Sequence, residues 1–171
     1  MTVLNDMYQY DLRILRWCVK SRYHHKFISC VRAVSRTGDG YMQVLLPLLV
    51  AIISQSLSFF ILALTAFAIE RLIYFVLKNM LKRRRPPDIV PNFSCLVQPS
   101  DKFSFPSGHT MAAFLLAGLL VAELGVIALP IYLWACAVGA SRVILGVHFP
   151  SDILAGATLG SVILLGVIYA V

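Results

Sequence analysis

Acidic residues are scarce in this chain: eight Asp and Glu stand among 171 residues, against fifteen Lys and Arg. Charge of either sign is sparse, at 13%, while 59% of residues are hydrophobic and the mean hydropathy is +0.81. A soluble domain carries about 25% charged and about 45–50% apolar residues, so this balance excludes that class and points to a membrane protein. The four cysteines, Cys18, Cys30, Cys95 and Cys136, have neither zinc nor redox spacing and give no ground for a disulfide framework. No Ser- or Gly-rich linker, low-complexity tract or internal repeat divides the chain, and the first 40 residues lack the apolar core of a signal peptide.

The cations that are present are unevenly placed. Seven lie before residue 40, six lie between residues 71 and 85, and only Lys102 and Arg142 follow. They flank apolar segments, which favours lipid headgroups or phosphorylated substrates as partners over nucleic acid. Residues 2–36 mix Leu12, Leu15, Trp17 and Val19 with Arg13, Arg16 and Lys20. That pattern predicts one or two amphipathic helices at the interface, or packed on the membrane domain. The chain is read as an N-terminal segment, 1–40, and a transmembrane domain, 41–171.

Five apolar segments follow Gly38-Asp39-Gly40, at about 41–54, 57–78, 109–122, 125–143 and 152–171. None has the alternation of a barrel, so the expected fold is an all-α membrane bundle of about five spans plus an amphipathic helix. Residues 55–58 and 122–125 read as tight turns. The connections 79–108 and 145–151 then share one side of the membrane with the N-terminus. Nearly all Lys and Arg lie on that side, which the positive-inside rule makes cytoplasmic. Small size and minimal loops suggest a bacterial inner membrane. The sequence carries no signal for an oligomeric state.

Three short patterns fall in those same-side connections: Lys78, six residues, then Arg85-Pro86; Pro106-Ser107-Gly108-His109; and Ser141-Arg142, five residues, His148, three residues, Asp152. Lys78, Arg85 and Arg142 supply three positive charges for a phosphoryl group, and arginine contacts it bidentately. Ser107 and Gly108 sit at the expected start of a helix, where free backbone N–H groups favour anions. One of His109 and His148 could attack phosphorus while the other protonates the leaving oxygen, and Asp152 could fix an imidazole tautomer.

This constellation resembles the type 2 phosphatidic acid phosphatase superfamily, which also includes glucose-6-phosphatase and the vanadium haloperoxidases. All three signature motifs are matched without a gap, and the likeness covers roughly residues 35–171. It implies a helical bundle, usually of six spans, in which an N-terminal interfacial helix replaces one here. It implies His148 as the nucleophile that forms a phosphohistidine, Asp152 as its orienting carboxylate, and His109 as general acid and then base. Lys78, Arg85, Arg142, Ser107 and Gly108 would hold the phosphoryl oxygens. It implies no metal and no cofactor, in keeping with the few carboxylates present. The expected substrate is phosphatidate, phosphatidylglycerol phosphate or an isoprenyl pyrophosphate. A phosphotransferase using the same histidine, or a non-enzymatic lipid-binding protein, are the alternatives; a peroxidase fits less well, since that activity belongs to larger soluble relatives.

Plainer roles exist for several residues. Ser107 and Asp152 could be simple N-caps. Lys82, Arg83 and Arg84 read as a basic cluster flanking the membrane. Glu70 and Arg71, inside the second segment, read slightly better as partners of neighbouring helices than as an extension of the site. His24 and His25 read as solvated. The long connection is expected to fold over the site, with Phe93, Leu96, Val97, Phe103 and Phe105 dipping into the interface, or simply to pack on the bundle.

Overall fold

The computed structural model describes residues 2–20, 25–91, 93–99 and 101–170. Eight α-helices and no strand form among them: α1 Thr2–Lys20, α2 His25–Thr37, α3 Gly40–Ser54, α4 Leu57–Leu81, α5 Pro86–Ile89, α6 Gly108–Leu124, α7 Ile131–Ile144 and α8 Pro150–Ala170. The fold is the expected all-α bundle. His24 and the side chain of His25 lie outside the described residues.

Three helical stretches are long and apolar enough to cross a membrane: Leu57–Ile89, Gly108–Ala128 and Pro150–Ala170. A fourth crossing qualifies only when Lys26–Thr37 and Gly40–Ser54 are taken together, and that pair is bent by 59°. The fifth expected span is the shorter apolar helix Ile131–Ile144. It starts later than its apolar run suggests. Gly125 closes α6 at φ 74, a 3₁₀ turn covers Gly125–Ala128, and Pro130 precedes the first turn of α7.

Helix α6 is apolar on every side and is buried along most of its length, as a central helix must be. Helix α8 lies against it along Gly156 and Gly160, one turn apart. A methyl group on Gly156 would sit 2.7 Å from the Ser107 carbonyl oxygen, and one on Gly160 would collide with the Met111 carbonyl. This close seam is what small residues permit in membrane helices. It also sets the site, because the amide of Ser107 at the head of α6 donates to the carbonyl of Asp152 in the first turn of α8 (3.2 Å).

The amphipathic segment packs on this frame. On α1, Leu15 and Cys18 are buried with Val143 and Phe149, while Tyr10, Ile14 and Trp17 stay exposed. Helix α2 lies along α7, with Val34 beside Val138. Helices α3 and α4 form the expected hairpin: Gln55 is left-handed, and the Ser56 hydroxyl accepts the Phe59 amide at 3.2 Å.

The connection between α4 and α6 is tied down more than draped. Ser104 bonds the Arg83 and Arg84 carbonyls, Leu96 donates to the Leu145 carbonyl, and Phe93 packs beside Leu15 and Phe149. Phe93 therefore follows the simpler packing alternative. Leu96 and Val97 border a cavity beside the expected site.

Candidate active site

Between α7 and α8 the chain turns within five residues. Gly146 takes φ 83, and the Val147 amide donates back to the Arg142 carbonyl (3.1 Å), which brings Arg142 and His148 together. Pro150 then opens α8, a position where its missing N–H costs nothing. Asp152 lies inside the first turn rather than at the cap, so the plain N-cap reading is corrected. Its Oδ2 reaches back to accept the Phe149 amide (2.8 Å), and its Oδ1 accepts from Arg83 (2.7 Å). Oδ2 stands 3.6 Å from Nδ1 of His148, a charge contact longer than a hydrogen bond. Both side chains are buried, and Nδ1 has no hydrogen-bond partner. Burial, together with the positive charges of Arg85 and Arg142, pushes the His148 imidazole down to about 4 against the raising pull of Asp152. At neutral pH the ring is uncharged.

His109 enters from the first turn of α6. Its Nε2 meets Oδ1 of Asp39 at 2.9 Å. Asp39 stands in the break between α2 and α3, and that break aims a carboxylate at a histidine seventy residues away. Ser107 is the N-cap residue of α6, as one reading had it, but its hydroxyl pairs with Thr110 (3.0 Å) and makes no side-chain cap bond. Gly108 is required partly by packing: a methyl there would lie 2.7 Å from the Tyr74 ring.

The cations are differently committed. Arg85 donates to the Val147 carbonyl (2.6 Å) and to the backbone and side chain of Asp101. Lys78 donates to Asp101 (2.8 Å) and to the Tyr74 hydroxyl (2.7 Å). Burial works to raise the Asp101 carboxyl, but the hydrogen bonds from Lys78 and Tyr74 and the charges of Lys78 and Arg85 outweigh it and hold it at about 2. Arg142 is buried; it donates to Ser35 (2.6 Å), and its Nε has no partner. Arg71 pairs with Glu70, its own neighbour in sequence, and stacks 4.8 Å from the Tyr74 ring centre. The expectation of neighbouring-helix partners is corrected, and Arg71 belongs to the wall of the site.

A cavity of about 120 Å³ lies at the centre. Of the expected residues, His148, His109, Arg85, Arg142 and Gly108 line it, while Lys78, Ser107 and Asp152 stand behind that wall. Among the described residues no group of three or more His, Cys, Asp and Glu comes together to hold a metal ion.

Sequence reasoning missed four participants. Asp39 was visible only as part of a Gly-Asp-Gly break. Asp101 and Asp11 carried no motif. Arg83 looked like a flanking charge, but its guanidinium joins Asp152 to Asp11 (2.7 Å to each), and Asp11 in turn accepts the Ser151 amide (2.9 Å). Its position over the Phe149 ring, 4.2 Å from the centre, fixes it further.

The helices that carry these side chains have known counterparts. The sequence profile of the PAP2 superfamily matches residues 59–171, which include all three motifs. Phosphatidylglycerophosphatase B of Bacillus subtilis (strain 168) is 39% identical over 141 residues, 72% of this chain and 66% of that protein. The undecaprenyl-diphosphatase of Sulfolobus acidocaldarius is 30% identical over 139 residues, 75% of this chain and 63% of that protein. The chain spans about half to two-thirds of the length of the curated relatives it matches. Among solved structures, a transmembrane PAP2-type phosphatidylglycerolphosphate phosphatase from Bacillus subtilis superposes with a TM-score of 0.81 at 28% identity, covering 97% of this chain and 86% of that one. LpxE of Aquifex aeolicus gives 0.78 at 27% identity, covering 92% and 94%. With its motifs, its helices and most of its length accounted for in this way, the chain belongs to the PAP2 superfamily.

Proposed function

We propose that this protein is a membrane phosphatase that hydrolyses a lipid phosphate or isoprenyl pyrophosphate through a phosphohistidine on His148, without a metal. The observation that carries the reading is the pair of histidines on one small cavity walled by Arg85 and Arg142. His148 turns its Nδ1 toward Asp152, which leaves Nε2 for attack, and the ring is neutral, as a nucleophile must be. Nε2 bonds to phosphorus as the phosphorus–oxygen bond of the ester or anhydride breaks, and the electron pair goes to the leaving oxygen. His109 gives that oxygen a proton. His109 then takes a proton from water, the water oxygen displaces Nε2 from phosphorus, and orthophosphate leaves. Asp152 offsets the charge that His148 gains, and Arg83 and the Phe149 amide hold Asp152 in place. Arg85 and Arg142 hold the phosphoryl oxygens, with Lys78 contributing charge from behind the wall.

The relatives named for phosphatidylglycerophosphate and undecaprenyl diphosphate support a lipid substrate. The excess of Lys and Arg around the site supports a cytoplasmic-facing site in a bacterial inner membrane. The catalytic reading is tested by phosphate release from purified protein in detergent with excess EDTA. Release is expected to survive EDTA and to vanish in His148→Ala. Release retained by that variant would mean another nucleophile. Sidedness is tested separately by impermeant thiol labelling of Lys102→Cys, with the native cysteines replaced by serine. Labelling in intact cells would place the site outside.

A further inference from the structure

A second cavity, of about 490 Å³, adjoins the first, and the two share Asp39, His109 and Arg142. Neither His148 nor Arg85 reaches it. Its wall adds Arg32 and Arg36 from α2, so three guanidiniums face one carboxylate. Two of the three are incompletely satisfied. Arg32 donates through Nη2 to the Leu96 carbonyl (2.9 Å), but its Nε is buried without a partner, and so is Nε of Arg142. An unpaired buried N–H is costly, and three guanidiniums around one carboxylate leave the wall with a net positive charge that an anion would balance.

The chemistry fixes which anion. Displacement at phosphorus puts nucleophile and leaving group on opposite sides of the reacting atom. His148 lines only the first cavity, while His109, the proton donor to the leaving oxygen, lines both. The second cavity therefore begins where the leaving group departs. Resting on the catalytic reading above, we infer that this cavity is a leaving-group subsite built for an anionic leaving group, held by Arg32, Arg36 and Arg142. The substrates it fits carry a second phosphate beyond the reacting one. Either the phosphodiester of a phosphatidylglycerol phosphate or the proximal phosphate of a prenyl pyrophosphate meets that need. Phosphatidate does not, because its leaving group is a neutral diacylglycerol.

The test compares kcat/KM in mixed micelles for phosphatidylglycerol phosphate, a prenyl pyrophosphate and phosphatidate. The acyl chains of the two glycerolipids are matched. Wild-type protein, Arg32→Gln and Arg36→Gln are assayed, with His148→Ala as control. Wild type is expected to prefer at least one substrate with an anionic leaving group over phosphatidate. Each arginine variant is expected to reduce that preference by about tenfold, the effect of losing one charge-assisted hydrogen bond. The substrate whose preference collapses identifies which second phosphate the site takes. Arg36 is exposed, so its variant remains informative if Arg32→Gln, which loosens the connection at Leu96, fails to fold. A wild-type preference for phosphatidate, or a preference ratio unchanged in both variants, would overturn the inference while leaving the catalytic reading intact. Phosphate release retained by His148→Ala would sink the catalytic reading instead.

Discussion

The two histidines of the site are each set against an aspartate, and the two pairs are built in opposite ways. His148 and Asp152 stand four residues apart in sequence, are buried together, and lie 3.6 Å apart without a hydrogen bond. Their carboxylate is committed elsewhere, to Arg83 and to the Phe149 amide. His109 and Asp39 come from helices far apart in sequence, bond directly at 2.9 Å, and are partly open, with side chains 23% and 46% exposed. The first pair suits a group that must stay neutral, aimed and dry until it attacks. The second suits a group that exchanges protons with a departing oxygen and then with water. On the proposed mechanism, rigidity is invested where the covalent bond would form, and access is kept where protons would move.

The largest effect that would expose this division is a comparison of His148→Ala with His109→Ala on two kinds of ester. His148→Ala is expected to lose at least about 10³-fold in kcat on every substrate. His109→Ala is expected to lose about 10²–10⁴-fold on an alkyl phosphate, but much less on an aryl phosphate whose leaving oxygen needs no proton. Equal losses on both esters would deny His109 its role as acid.

Next in size is Arg83→Ala. It strips the shared cation from two buried carboxylates, Asp152 and Asp11, and is expected to lower stability by roughly 3 kcal/mol as well as activity. Thermal unfolding in detergent measures it; an unchanged midpoint would return Arg83 to the membrane-flanking role that its sequence neighbours Lys82 and Arg84 suggest.

Asp39→Asn is expected to cost less than about tenfold in kcat, because an amide keeps a polar contact to His109 at an exposed position. The loss should rise on substrates with poor leaving groups. A larger loss than that of Asp152→Asn would reverse the comparison.

A separate effect is expected in pH dependence. The folded protein holds His148 near 4, below its ordinary 6.5, so between those values the unfolded chain binds a proton that the folded chain refuses. Stability from this group is fully present above 6.5 and is lost as pH falls toward 4. Subtracting the stability–pH curve of His148→Gln from that of wild type should reveal a decline confined to that window. A flat difference would mean that the imidazole titrates normally.

The helices, their order and five of the residues that line the cavity were legible in the sequence, because apolar runs and three spaced motifs are local signals. Arg142, His148 and Asp152 lie within one turn and its flanks, so their spacing already encodes their proximity. What was not legible depends on distant elements. Asp39 meets His109 only because α2 breaks before α3, and Asp11 meets Arg83 only because α1 lies across the start of α8. Asp101 sits in a connection with no periodicity at all. Scarcity was the unused clue: in a chain with eight acidic residues, five of them, Asp11, Asp39, Glu70, Asp101 and Asp152, are ion-paired at or beside the site. Nor was it legible that Lys78 and Ser107 do not border the cavity. Spacing gives direction along a helix, but not how many side chains stand in front.

The 3₁₀ turn between α6 and α7 has a practical consequence. It begins about sixteen residues along α6 from His109, roughly 24 Å at helical rise, and Val126 and Ile127 are 81% and 82% exposed. None of its residues borders either cavity of the site. A reporter inserted there is expected to leave the site undisturbed, which phosphate release by the fusion would check. A graft of the same length between Thr37 and Gly40 is expected to move Asp39 away from His109 and to lower activity, so the two ends of the molecule should differ in how much engineering they accept.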